Sequence, residues 1–239
     1  MLASIPRLAP TRTALRAVRA LLADPDDLPQ VFTLLEAFSG DTLERMERRL
    51  AASEPGRRLL AERPDVVRLL EDRDALRRLP AGSLGRAYLA FLESENISAA
   101  GIQDADTRGR SHGDDLPPDL DYLRRRMRDT HDLWHTVTGY KGDVLGETAL
   151  LAFTLAQTWN PGIAVLVATG LYKTLGSPSA RALILEGLRR GHRAAWLPEQ
   201  PWEAMLALPV AEVRAKLGTG APPVYTTVRS ADLRAAMAA

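Results

Sequence analysis

The sequence predicts an all-α fold: a single helical domain with a metal site on an αα-hairpin and a long polar loop before it. Three observations predict it. Apolar residues recur at three- and four-residue spacing, as one face of a 3.6-residue helix requires. The segments so marked end at Pro, Gly or Asp signals. No internal repeat or alternating strand pattern emerges. At 239 residues, 46% hydrophobic and 26% charged, the chain can bury a sizeable core as one domain, or at most two.

Taken in order, Ala14, Val18, Leu21 and Leu22 form an apolar face ending at Asp24-Pro25, and Phe32, Leu35 and Phe38 line a second helix that stops at Gly40. Asp41 caps a third, in which Leu43, Met46 and Leu50 keep the helical spacing to Pro55-Gly56. A fourth runs from Val66 towards Leu79, where Pro80 ends it, and Ser83 starts the next, with Tyr88, Leu89 and Leu92 on its buried side. Residues 100–118, rich in Gly, Asp, Arg and Pro, read as a loop. Loops longer than about 12–15 residues are usually functional or mobile, so this one is either a lid or a plain connector.

The chemistry concentrates in His131-Asp132-Leu133-Trp134-His135, followed by Glu147, in a chain with four histidines. On a helix His131 and His135 stack one turn apart, with Asp132 about 100° round from His131. Gly139 can close that helix in a left-handed cap and Asp143 can cap the next. His135 then lies about one turn before the bend and Glu147 one turn after it, so both face the same end of a hairpin. His131, Asp132, His135 and Glu147 together offer two imidazoles and two carboxylates. That set suits a divalent metal, zinc or ferrous iron first, with manganese or magnesium tolerated. A zinc-protease signature has Glu where Asp132 stands, and the shorter acid argues against protease geometry. The alternative is two partly buried histidines with two solvated acids.

The pattern His131-Asp132-x-x-His135-x11-Glu147 resembles the metal motif of the Coq4 family of ubiquinone (coenzyme Q) biosynthesis proteins. So do Leu79-Pro80-Ala81-Gly82-Ser83-Leu84-Gly85-Arg86, Pro117-Pro118-Asp119-Leu120-Asp121-Tyr122-Leu123, Arg126-x-Arg128-Asp129-x-His131-Asp132 and Asn160-Pro161-Gly162. The resemblance covers about residues 14 to 218, taken as the core of a domain spanning 1–239 with flexible termini. It implies a helical protein peripheral to a membrane, acting at C1 of a polyprenylated 4-hydroxybenzoate, where the ring carboxyl group is lost with oxidation at that carbon. It also implies other quinone-biosynthesis proteins as partners. The four ligand positions carry over without departure.

Charge and composition narrow the field. Thirty-one basic against thirty acidic residues leave a net charge of +1, so no global field points to nucleic acid. The chain has no cysteine, which excludes disulfides and thiolate ligands and fits a reducing cytosol. Arg7, Arg12, Arg16 and Arg19 are interleaved with short apolar pieces and no secretory signal is legible. Such an Arg-rich, acid-poor start imitates a mitochondrial presequence, but the heavy Ala, Arg and Leu usage favours a bacterial cytoplasmic protein, which the resemblance then implies is peripheral to the inner membrane. The basic segment from Thr11 to Ala23 suits a membrane surface or a core-facing helix equally.

From Thr148 to Tyr172 no side chain is charged, but Asn160-Pro161-Gly162 breaks the run. Two segments of roughly a dozen residues are too short to cross ~30 Å of hydrocarbon, so they read as buried core helices, with a channel for an isoprenoid tail as the sharper alternative. Among Arg124, Arg125, Arg126 and Arg128, Arg128 is the candidate catalytic group. It stands three residues before His131, where a guanidinium can orient a substrate carboxylate, although pairing with Asp119 or Asp121 is the default for this cluster. Asp129 is a candidate partner for the outer nitrogen of a ligating histidine, and His112 and His192 read as solvent-exposed. Glu147 is assigned a catalytic as well as a ligand role. The leading reading is a metal-dependent decarboxylase. The competing one is a non-enzymatic lipid-binding scaffold for a quinone-biosynthesis complex, stapled by its metal, and a homo-oligomer is open in both.

Overall fold

The computed structural model describes residues 16–17, 19–21, 28–38, 40–95 and 116–229, and among them every regular element is a helix. In chain order these are α1 (Leu28–Ala37), α2 (Thr42–Ala52), α3 (Glu54–Glu62), α4 (Val66–Glu71), α5 (Arg73–Arg78), α6 (Leu84–Glu95), α7 (Pro118–Asp129), α8 (His131–Thr138), α9 (Val144–Thr158), α10 (Pro161–Lys173), α11 (Pro178–Arg193), a 3₁₀ turn (Leu197–Glu199), α12 (Trp202–Met205) and α13 (Val210–Leu217). The only non-helical pairing among these residues is one isolated bridge, Ser83 to Pro209.

The frame of the fold is the pair α9 and α11, packed so closely that two glycines of α11 meet the backbone of α9. A Cβ on Gly187 would run into the Ala149 carbonyl, and one on Gly191 into the Phe153 carbonyl. Glycines four residues apart lie on one helical face, so both backbones approach along a line. Trp134 of α8 closes the same core, edge-to-face against Phe153 at 6.4 Å, in a cluster that includes Tyr88, Leu92, Val137 and Trp202.

Most sequence expectations hold, and three of the departures share a cause. Gly139 takes the left-handed conformation at the end of α8 (φ 80°), and the Asp143 side chain caps α9 through the Leu145 amide. Tyr88, Leu89 and Leu92 are buried, and Ser83 accepts the Arg86 amide at the start of α6. Asp41, by contrast, makes no capping bond: its carboxylate pairs with Arg45. Pro55 starts a helix instead of ending one, because Ser53 terminates α2 and its hydroxyl caps α3. The helix expected from Val66 to Leu79 is two, divided at Asp72, which caps α5 through the Ala75 amide. The arginines and the metal motif also lie on two helices, since Thr130 (φ −92°, ψ 0°) separates α7 from α8. At Ser53, Asp72 and Thr130 a short polar side chain bonds the local backbone and offers it an alternative to continuous helix.

The stretch from Thr148 to Tyr172 forms α9 and α10, split at Asn160, whose side chain caps α10. No described helix is long and apolar enough to cross a membrane. Of this stretch, Ala152, Ile163 and Val167 pack with Ala180 and Ile184 as core, and the glycine of α10 nearest the metal hairpin, Gly170, packs on Thr148. The expected loop over 100–118 ends earlier, α7 starting at Pro118; residues 100–115, with His112, lie outside the described residues, as do most of Thr11–Ala23 and the extreme termini. Of the described part of that N-terminal segment, Ala17 and Leu21 are buried while Arg16 and Arg19 are exposed.

Candidate metal centre

Helix α8 is short because it is stopped at both ends, by Thr130 and by Gly139, and the chain then doubles back within residues 139–143 to enter α9. This geometry faces His131 and His135 toward the first turn of α9, where Glu147 stands. His135 Nε2 lies 3.0 Å from Glu147 Oε1 and His131 Nε2 lies 3.8 Å from Glu147 Oε2. His131 Nδ1 is 3.3 Å from Asp132 Oδ1, and one donor atom each of His131, Asp132 and His135 falls within 4.8 Å of the others. The structure therefore brings all four expected residues together.

Burial is uneven across the group. The His135 ring is fully buried and Asp132 nearly so, whereas His131 and Glu147 are 34% and 41% exposed and form an open edge. His135 is held on three sides. Its Nδ1–H donates to the Tyr140 carbonyl at 3.0 Å, Phe91 of α6 stacks on its face at 5.0 Å between centroids, and His131 meets it edge-on at 4.8 Å. With Nδ1 carrying the proton, Nε2 presents a lone pair. That buried nitrogen has no hydrogen bond of acceptable geometry, although Glu147 Oε1 is at 3.0 Å. The same convergence fits ligands aimed at a common ion, whose bonds of about 2.0–2.2 Å the observed separations accommodate.

Without an ion the same groups perturb one another. Burial of the His135 ring, the largest influence, favours its neutral form, but the charge and hydrogen bond of Glu147, then Asp132 and the Tyr140 carbonyl, outweigh it and push the imidazole up to about 9. Burial likewise resists ionisation of Glu147, and the charges of His135 and His131 overcome it, holding the carboxyl well below its usual range.

The end of α8 is fastened by cations. Arg214 donates to the Thr136 and Val137 carbonyls, and Arg190 to the Thr138 carbonyl and to Thr219. They satisfy carbonyls that a helix leaves open and oppose its dipole. A cleft of about 290 Å³ beside this end is lined by Phe91, His135, Tyr140, Lys141 and Arg214, among others.

Arg128 is nine-tenths buried, with Nε on Asp129 Oδ1 at 2.6 Å. Asp129, whose carboxyl is raised chiefly by burial, thus holds Arg128, and the outer nitrogen of His135 is held by a backbone carbonyl instead. Of the neighbouring arginines, Arg124 and Arg125 pair with Asp121, and the buried Arg126 pairs with Glu203. His192 is exposed as expected, its ring against Trp159. Sequence reasoning missed Phe91 and Tyr140 as supports for His135. Tyr140 had a local signal, lying in the bend itself; Phe91, on a distant helix, had none.

The family described as "Coenzyme Q (ubiquinone) biosynthesis protein Coq4" matches residues 5–223. The chain belongs to the Coq4 family. A ubiquinone biosynthesis protein COQ4 homolog, mitochondrial, from Danio rerio is 32% identical over 232 residues, covering 92% of this chain and 82% of its own. The mitochondrial homolog from Homo sapiens is 30% identical over 208 residues, covering 85% and 76%. Among solved structures, a protein from Nostoc punctiforme superimposes with a TM-score of 0.63 over 88% of this chain and 98% of its own, at 24% identity. That likeness extends the shared fold to a bacterial protein. This Coq4-family chain is accordingly a ubiquinone biosynthesis protein, all-helical, with a His/Asp group able to hold a metal.

Proposed function

We propose that the protein binds one divalent ion, zinc or iron, through His131, Asp132, His135 and Glu147, and removes the C1 carboxyl group of a polyprenylated 4-hydroxybenzoate with oxidation at that carbon. The observation that carries the reading is His135: a buried imidazole whose Nδ1–H is committed to the Tyr140 carbonyl and whose Nε2 faces Glu147 Oε1 at 3.0 Å, with His131 and Asp132 beside it.

A bound ion would supply Lewis-acid polarisation of the substrate headgroup and, as iron, access to dioxygen, one oxygen of which replaces the carboxyl lost as CO₂ while an external two-electron donor takes the other to water. The protein's residues do the rest. Asp132 and His135, both buried, anchor one side, so the substrate headgroup approaches from the exposed edge at His131 and Glu147. Glu147, a carboxylate at neutral pH, accepts a proton or holds the phenolic oxygen there. Arg128, its fork set by Asp129, orients the departing carboxylate. The prenyl tail follows apolar surface of α9 and α10, each buried CH₂ contributing about 0.8 kcal/mol. In this reading the protein works at the cytoplasmic face of a bacterial inner membrane, beside other quinone-biosynthesis proteins.

The test is turnover of a 3-polyprenyl-4-hydroxybenzoate by iron-loaded protein given dioxygen and a two-electron donor, with zinc-loaded protein beside it, following released CO₂ and the C1-oxygenated product. Loss of both in Glu147→Ala supports the reading; undiminished turnover with retained ion contradicts the catalytic role of Glu147. A second reading is a lipid-binding scaffold. It is favoured by the four protein donors, which saturate a tetrahedral zinc and leave no open position. Cobalt-substituted protein separates the two: a spectrum unaltered by added azide or cyanide favours the scaffold.

A further inference from the structure

We infer that Tyr225 is a positioning residue of the metal centre, acting on His135 through the peptide that joins Tyr140 to Lys141; the inference rests on the metal reading above. The Tyr140 carbonyl of that peptide accepts His135 Nδ1–H at 3.0 Å. Its Lys141 N–H donates to the Tyr225 hydroxyl at 2.9 Å. The Tyr225 O–H in turn donates to Asp143 Oδ2 at 2.7 Å. One unbroken chain therefore runs from a ligand imidazole, across a single amide, to a carboxylate that is 1% exposed. Hydrogen bonds in series polarise one another, each strengthening the next.

The far end of the chain serves the other ligand helix. Asp143 Oδ1 accepts the Leu145 and Val228 amides, and its carbonyl accepts the Glu147 amide at 2.8 Å. Tyr225 thus sits between the support of His135 and the cap of the helix that bears Glu147. Room is made for it: a Cβ on Gly146, the residue before Glu147, would collide with the Tyr225 hydroxyl.

Tyr225 belongs to a non-helical segment, residues 219–229, laid across the bend. Thr219 donates to the Val137 carbonyl, Pro222 covers Gly139, the Val228 carbonyl accepts the Val144 amide, and Arg229 pairs with Glu95 at 2.6 Å. The bend itself supplies little besides the Gly139 amide to the His135 carbonyl and the Asp143 cap. Its shape, and with it the separation of His135 from Glu147, is imposed by a segment more than eighty residues away in sequence.

Groups that orient metal ligands from behind typically set affinity by about 10–100-fold. The experiment uses the full chain and measures Zn²⁺ affinity by chelator competition and the visible spectrum of the Co²⁺ form, for wild type, Tyr225→Phe, Val228→Pro and the exposed Tyr172→Phe. Tyr225→Phe and Val228→Pro are expected to bind Zn²⁺ about tenfold or more weakly and to shift the Co²⁺ bands, with helix content by circular dichroism unchanged and Tyr172→Phe like wild type. Wild-type affinity and an unchanged Co²⁺ spectrum in Tyr225→Phe would overturn the inference, and so would a change in thermal stability alone. Wild type that binds neither ion would overturn the metal reading itself, a result distinguishable because the variant comparison is then empty.

Discussion

The side chains of His135 and Glu147 meet at 3.0 Å although they stand on opposite arms of a helical hairpin, one at the end of α8 and the other in the first turn of α9. The meeting is imposed from both sides. Gly139 turns the chain in a left-handed conformation that other residues adopt at a cost, and Asp143 restarts the helix within four residues. The bend so marked, held in shape by the 219–229 segment laid across it, sets the distance between the two ligands.

Metal binding should be proton-linked. In the ion-free protein the His135 imidazole is pushed up to about 9 while Glu147 is held low, so near pH 7 the pair is a cation beside an anion. The raised histidine contributes stability that is full below about pH 6.5 and lost as pH rises through about 9; the depressed carboxyl contributes above its ordinary value of about 4.3 and fades as pH falls towards 2. Zinc needs the neutral ring, so its affinity should rise about tenfold per pH unit from 6.5 to 8, with one proton released per ion. Calorimetry in two buffers of different ionisation enthalpy reads that proton directly; a pH-independent affinity would contradict the linkage.

Gly187→Ala should be among the most damaging conservative substitutions in the chain. The added methyl falls on the Ala149 carbonyl, a backbone atom that moves only if α9 and α11 separate. Overpacking of this kind costs about 1–3 kcal/mol or more. Urea unfolding measures it, with Gly176→Ala, where a Cβ meets open space, as the control near zero.

The pair Arg126 and Glu203 should behave as a buried ion pair does. Two guanidinium nitrogens reach the two carboxylate oxygens at 2.6 and 3.1 Å, and Arg126 also holds the Gln200 carbonyl. Removing one partner, as in Glu203→Leu, leaves an uncompensated charge in a site 3% exposed and should cost about 3–5 kcal/mol. The double variant Arg126→Met, Glu203→Leu should recover much of that loss. Thermal unfolding of the three proteins checks the order.

The candidate site was legible because its signals are local. His131, Asp132 and His135 share a helical face by spacing alone, and Gly139 and Asp143 announce the bend. The interruptions at Ser53, Asp72 and Thr130 were not, because each lies within an otherwise helical apolar pattern and wins only by a local capping or back-bonding hydrogen bond. Phe91 and Tyr225 were invisible for another reason. Their contacts with His135 and with the bend join distant parts of the chain, and an isolated aromatic carries no mark of the partner it will find.

The most direct measurement is native mass spectrometry of tag-free protein, grown with zinc and iron and purified without chelator, for wild type beside His131→Ala and Glu147→Ala. The account predicts one ion per chain in the wild type and its loss in both variants. A metal-free wild type under these conditions, or an ion retained undiminished in both variants, would contradict a metal centre built from His131, Asp132, His135 and Glu147.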